Sequence, residues 1–227
     1  NKIAMKNNYK NWIKKLPLPT ATSNKYTRGS VLIIGGEKHS TGAARIAALS
    51  AARMTAGMVT IACSFESLDI YAASCQAIMV RPFANAIGLK DILIEKKINA
   101  VLIGPGLAIE KRTIDLINFI GAQNLPLVID AGALASLARI STNLEQIFKA
   151  NTIITPHEGE FAKLFGECKN RSTSILRICG QYPGLTILLK GFETLICLNK
   201  ELIINDHSHP ALSTAGSGDA LAGMIVS

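Results

Sequence analysis

Six short runs of aliphatic and β-branched residues recur along the chain, at 31–34, 58–63, 77–80, 100–103, 125–129 and 152–154. They do not alternate with polar residues, so both faces of each strand must be buried. Strands of that kind belong to a parallel sheet covered by helices on its two sides. The stretches between them are long enough for such helices, with clear helical spacing at 42–56, near 110–120 and near 158–165. The rhythm then changes. Strands predicted at 186–189, 194–198 and 201–204 lie too close together for helical crossovers and should form an antiparallel meander at one edge. A polar loop over 205–214 leads to Ala215-Gly216-Ser217-Gly218-Asp219 and a final helical run over 220–226. The fold class is α/β: a doubly wound, mostly parallel sheet with antiparallel strands at one edge.

Charge and cysteine usage narrow the class further. Of a net charge of +8, residues 1–28 contribute seven basic side chains and no acid, whereas the remainder is nearly balanced. The division is therefore a basic arm or linker over 1–28 and a folded domain over 29–227. The arm reads as a solvated lead-in, with phosphate binding as the alternative. Aromatic residues make up only 5% of the chain, too few to interleave with lysines on a nucleic-acid face, so no nucleic acid is expected. The longest apolar runs, such as 54–65, fall well short of the roughly 20 residues that span a bilayer, and no secretory signal opens the sequence. Five cysteines without a CxxC pair, in apolar contexts such as those of Cys63 and Cys197, read as small core residues. With Cys75, Cys168 and Cys179 they point to a reducing cytoplasm. His207 and His209 have no metal-site spacing around them.

In an open parallel sheet, ligands bind outside the carboxyl ends of the strands. Gly35-Gly36, Gly104-Pro105-Gly106, Asp130, Thr155-Pro156-His157, Lys190-Gly191 and Gly216-Ser217-Gly218-Asp219 all fall at such ends or lead into the last helix. Residues 36–42 lack the Lys-Ser/Thr of a phosphate loop, and Gly104-Pro105-Gly106 lacks the third glycine of a dinucleotide fingerprint. Gly216-Ser217-Gly218 instead turns several N–H groups toward one point at the positive end of a helix, where negative charge is stabilised. Asp219 in that first turn is placed either as a general base or as a helix cap. Thr155, with Pro156 at the first helical position and Glu158 three residues on, fits a capping box, which leaves His157 and Glu160 for substrate and a hydrated metal ion. Asp130 reads preferentially as a cap for the helix beginning near Ala131, with a metal or water ligand as the alternative. Lys190 is either a cation near phosphate or a solvated strand end.

Taken in order, Val31-Leu32-Ile33-Ile34-Gly35-Gly36, Thr41-Gly42-Ala43, Ile103-Gly104-Pro105-Gly106-Leu107, Val128-Ile129-Asp130-Ala131, Thr155 to Phe161, Leu189-Lys190-Gly191 to Thr194 and Ala215 to Asp219 resemble the NAD(P)H-hydrate dehydratase family of the ribokinase-like superfamily. The resemblance covers residues 28–227. It implies a repair enzyme that restores NADH and NADPH from their hydrates (NADHX and NADPHX), using ADP or, less commonly, ATP with Mg2+. The nucleotide phosphorylates the ring hydroxyl and phosphate then leaves. By position, Asp219 would be the base and Gly216, Ser217 and Gly218 the anion hole. Lys190, Gly191, Phe192, Glu193, Thr194 and Gly218 would line the nucleotide, and Ala43, Gly104, Gly106, His157 and Asp219 the hydrate. Glu160 would stand near magnesium, through water. The resemblance further implies a homo-oligomer, usually a tetramer, with an epimerase domain fused upstream in some members. Members usually run several tens of residues past the Gly-Asp helix, so a C-terminal part is expected to be missing here. The rival readings are a ribokinase-like kinase for a small alcohol, disfavoured by Thr155-Pro156-His157, and a non-catalytic nucleotide-binding protein.

Overall fold

The computed structural model describes residues 4–16, 18–74, 76–140, 143–149 and 151–227. In chain order the first elements are β1 (Met5–Lys6), β2 (Ser30–Ile34), α1 (Thr41–Arg53), β3 (Met58–Cys63), α2 (Leu68–Ser74), β4 (Met79–Pro82) and α3 (Ala86–Glu95). Then come β5 (Ala100–Ile103), α4 (Lys111–Gly121), β6 (Leu127–Ile129), α5 (Ala131–Arg139), α6 (Leu144–Ile147), β7 (Thr152–Ile154) and α7 (Glu158–Phe165). The last are α8 (Arg171–Gln181), β8 (Thr186–Leu189), β9 (Thr194–Leu198), β10 (Glu201–Asn205) and α9 (Ser217–Val226).

The strands form one sheet in the order β1-β10-β9-β8-β7-β6-β5-β2-β3-β4. From β8 to β4 every pair is parallel, and β8-β9-β10 is the expected antiparallel meander. Within the basic arm, Met5 and Lys6 pair in parallel with Ile203 and Ile204, and the Lys6 ammonium lies 2.8 Å from Asp206. Part of the arm is thereby joined to the sheet edge.

The continuous apolar runs have the expected cause. On β2, Leu32 and Ile34 enter a core that includes Leu89, Ile117, Phe161 and Ile175, while Val31 and Ile33 enter a second core on the opposite face. Against the strands, that second core is covered by alanines of α1 (Ala44, Ala47, Ala48, Ala51) with Ala222 and Val226 of α9. Small side chains let the two helices meet closely: a Cβ on Gly223 would lie 2.1 Å from the Ala47 carbonyl oxygen. In the first core, Phe161 and Phe165 (ring centroids 5.0 Å apart) and Phe148 and Tyr182 (5.3 Å) form a linked aromatic group. Phe161 is fully buried. Phe161→Ala should cost about 3–5 kcal/mol, read as a fall of roughly 10 °C in the thermal midpoint.

Element ends differ from the sequence expectations where local chemistry intervenes. The sixth strand starts at Leu127 rather than residue 125, because Pro126 has no N–H to give and only its carbonyl joins the ladder, accepting from Val101. The last helix starts at Ser217, three residues early, on the left-handed turn of Gly216 (φ 88°). Cys63, Cys179 and Cys197 are buried and Cys168 partly so; Cys75 lies outside the described residues. Burial, with Glu37 nearby, pushes the Cys63 thiol up to about 11, which suits a core side chain and not a nucleophile.

Candidate active site

The carboxyl ends of β2, β5, β6, β7 and β8 open on one rim, and close backbone contacts between glycines hold the loops that leave them. A Cβ on Gly36 would lie 2.0 Å from the Gly106 carbonyl oxygen, and one on Gly106 (φ 76°) 2.2 Å from that of Ser40. Gly104 (φ 130°) lies as tightly against the Asp130 carbonyl. These contacts bring the loops after β2, β5 and β6 together, and Ala43 follows in the first turn of α1, three residues after the Ser40 that Gly106 touches. Gly104 and Gly106 thus form part of the backbone of that rim.

At α9, Gly216 occupies the cap position with no side-chain capping bond. The Ser217 hydroxyl and N–H both donate to the Thr214 carbonyl, at 2.9 and 3.3 Å. Ser217 therefore ties the loop back, and the first-turn N–H groups of Gly218 and Asp219 are left to meet an anion. Asp219 sits inside the first turn and makes no capping bond, so the structure removes the cap alternative for it. Burial raises its carboxyl above the ordinary aspartate value; the Asp130 charge adds to that rise and Lys190 opposes it.

Asp130 corrects the expectation from sequence. It precedes α5 at the cap position, yet its side chain makes no capping bond. The carboxylate, on a residue only 1% exposed, instead accepts from the Lys190 ammonium at 2.9 Å. The same ammonium lies 3.9 Å from Glu160, and a Cβ on Gly218 would be 3.6 Å from it. Lys190 is therefore not a solvated strand end: Asp130 and Glu160 lie beside it, and Asp219 is near enough for its charge to interact with the ammonium.

The capping box at α7 is also shifted relative to the expectation. His157, not Thr155, is the cap. Its Nδ1 accepts from the N–H groups of Gly159 (3.0 Å) and Glu160 (3.3 Å), and Glu160 accepts from the His157 N–H at 2.9 Å. Thr155, just past the end of β7, is pulled inward by its N–H bond to the Ile129 carbonyl, and its hydroxyl is buried without a hydrogen-bond partner among the described residues. With Nδ1 occupied as an acceptor, neutral His157 carries its proton on Nε2, on a side chain that is largely exposed.

Beside this cluster, a cleft of about 480 Å³ is lined by Lys190, Gly191, Phe192, Thr194, Ser217 and Gly218, among others. Glu193 is an exposed residue of the same turn. The structure so brings together the residues expected to line a nucleotide with those at the start of α9. Arg171, which sequence reasoning missed, backs this turn. Its guanidinium donates to the carbonyls of Leu189 and Lys190 (3.3 Å each) and pairs with Glu158 at 2.8 Å. No local pattern marks a residue that acts on a strand end 18 positions away.

The profile of the NAD(P)H-hydrate dehydratase family matches residues 31–227. A bifunctional NAD(P)H-hydrate repair enzyme of Coxiella burnetii is 34% identical over 216 residues, 92% of this chain, which spans only 43% of that relative's length. An ADP-dependent (S)-NAD(P)H-hydrate dehydratase of Lactococcus lactis is 34% identical over 207 residues, covering 89% of this chain and 74% of the relative. Among solved structures, the ADP/ATP-dependent NAD(P)H-hydrate dehydratase of Bacillus subtilis, co-crystallised with ATP/Mg2+, matches with a TM-score of 0.78 at 29% identity, over 93% of this chain and 76% of that one. With its ribokinase-like sheet and the residues gathered on one rim, this chain belongs to the NAD(P)H-hydrate dehydratase family.

Proposed function

We propose that this protein removes water from hydrated NADH and NADPH, with ADP in preference to ATP as the phosphoryl donor. The observation that carries the reading is the Asp219 carboxylate, in the first turn of α9 without a side-chain hydrogen bond among the described residues and near enough to Asp130 and Lys190 to interact with both charges. Asp219 takes the proton of the ring hydroxyl, whose oxygen attacks the terminal phosphorus of ADP while the bond to AMP breaks. The Gly218 and Asp219 N–H groups and the Lys190 ammonium face the charge that gathers on the moving phosphoryl group. Phosphate then departs with the electron pair of the ring C–O bond, and a proton leaves the adjacent carbon, so the double bond re-forms. Ala43, Gly104, Gly106 and the Nε2–H of His157 line the side of the rim from which the hydrate enters.

No group of three His, Cys, Asp or Glu side chains forms a metal cage among the described residues. Glu160, at the start of α7, and the buried, partnerless Thr155 hydroxyl just before it in the chain instead suit a magnesium ion held through water. When bound, that ion supplies charge neutralisation on the phosphates.

In the same reading residues 29–227 form the catalytic domain and 1–28 an arm ahead of it. The protein works in the cytoplasm as a homo-oligomer, with an epimerase domain as the natural upstream fusion partner. The test is recovery of the reduced-nicotinamide absorbance from each hydrate with magnesium and ADP or ATP. Nucleotide-dependent recovery supports the reading. Nucleotide consumption on small alcohols without recovery would replace it with a kinase, and nucleotide binding without either with a non-catalytic protein.

The nucleotide turn supplies a narrower prediction. A Cβ on Gly191 would lie 2.4 Å from the Arg171 guanidinium, the mobile end of a long side chain. Gly191→Ala should therefore leave the thermal midpoint within a few degrees but displace the guanidinium from the Lys190 carbonyl. The KM for ADP is expected to rise roughly three- to tenfold, about 1 kcal/mol of binding.

A further inference from the structure

We infer that Asp130 is a positioning residue: its buried carboxylate fixes the Lys190 ammonium at the mouth of α9, and phosphoryl transfer depends on it through Lys190. The kinetic consequence rests on the dehydratase reading; the placement itself does not.

A lysine at a strand end ordinarily extends its stem so that the ammonium stays in water. Lys190 does not: its side chain is only 21% exposed, and the water its ammonium gives up has to be compensated. Asp130 supplies the compensation at 2.9 Å, whereas Glu160, at 3.9 Å, is already committed to the His157 N–H. Asp130 is also rigidly aimed. Its N–H donates to the Ile103 carbonyl, its own carbonyl accepts from Ala133 and abuts Gly104, and the turn after it places Ala131 at φ 47°. Lys190 in turn is fixed from behind by Arg171 and by the bond from its N–H to the Pro156 carbonyl. The two ends of the pair come from β6 and β8 with β7 between them, so the ammonium is located by the sheet and not by a flexible loop. A charge that must meet a short-lived phosphoryl group gains from such fixed placement.

The test has two arms. In the kinetic arm, Asp130→Asn should lower kcat on the order of 10- to 100-fold while the KM for ADP moves by less than about threefold. Adding Lys190→Met to that variant should change kcat by less than about twofold, since a lysine without its partner no longer stands at the transfer point. A double variant at least tenfold slower than Asp130→Asn would overturn the inference, as would a loss carried wholly by KM. Neither chain leaves a carboxylate at position 130 without its lysine, so both are suited to folding; melting curves check it. In the chemical arm, an acylating amine reagent is added without nucleotide, and labelling of Lys190 is followed by mass spectrometry. Release of the ammonium in Asp130→Asn should speed labelling by about fivefold or more. Equal rates in the two chains would overturn the placement. Should the wild type restore no nicotinamide absorbance with any nucleotide, the dehydratase reading falls, and the labelling rates still decide whether Asp130 holds Lys190.

Discussion

Asp219→Asn is expected to lower kcat by about 10²–10⁴-fold and, at neutral pH, to raise the thermal midpoint. Both effects come from one property. The Asp219 carboxyl is held above its ordinary value, first by burial and then by the charge of Asp130, with Lys190 pulling the other way. As a base it is competent only when ionised, so the wild-type rate should fall as pH drops through that raised value. The small residual rate of the variant should lack this limb. The stability consequence has the opposite sign to that of a salt-bridged aspartate. A raised folded-state value means that the folded chain binds the proton more readily than the unfolded chain. The ionised carboxylate therefore costs stability above the raised value, and that cost is relieved as pH falls from there toward the ordinary value of 3.8. Asparagine removes the cost at all pH values. Calorimetric scans of both chains at pH 7 and pH 5 check this: the advantage of the variant should shrink at the lower pH. An unchanged rate in Asp219→Asn would remove the aspartate from the mechanism.

Gly104→Ala should be the most damaging single-methyl addition on the rim. At φ 130° the backbone is one that L residues rarely adopt, and the new Cβ would sit 1.7 Å from the Asp130 carbonyl oxygen, with no flexible side chain to yield. Loss of at least about 4 kcal/mol is expected, enough for little folded protein to accumulate at 37 °C. The control is Gly121→Ala at the end of α4, where a Cβ meets nothing within 4 Å. That change should be neutral or stabilising by up to about 1 kcal/mol. Soluble yield and denaturant titration of the two chains give the comparison. Equal stability would show that the turn after β5 relaxes more freely than its contacts imply.

The sheet was legible in sequence because strands buried on both faces leave uninterrupted apolar runs, and Val31 to Ile34 needs no distant partner to be read that way. The glycine contacts were half legible. Gly104 and Gly106 announce a turn, but that they abut Asp130 and Ser40 depends on loops brought together by the fold. The turn into α9 was legible because Gly216 to Asp219 is a contiguous motif, although the helix itself begins at Ser217 and not at residue 220. Asp130 was misread because an aspartate before a helix satisfies the local capping rule, and the lysine that outcompetes the cap lies 60 residues on. The capping box at α7 slipped for a related reason: Thr155 has the better capping side chain, yet β7 draws it into the sheet end and hands the role to His157. Strand β1 left no signal, since two residues in a lysine-rich stretch become a strand only through the partner they meet.

That partner arrives late. Lys6 reaches Asp206 across two hundred residues of chain. A ribosome adding about 5–20 residues per second needs some tens of seconds to span the interval. For much of that time the alanine stripe of α1 waits for α9, which follows β10 in the chain, and such distant pairings also slow the final closure. A nascent chain therefore displays an open apolar seam that holding chaperones can recognise. The helix that seals the seam through Ala222 and Val226 also delivers Asp219. In the proposed mechanism, closure of the core and arrival of the base are one event.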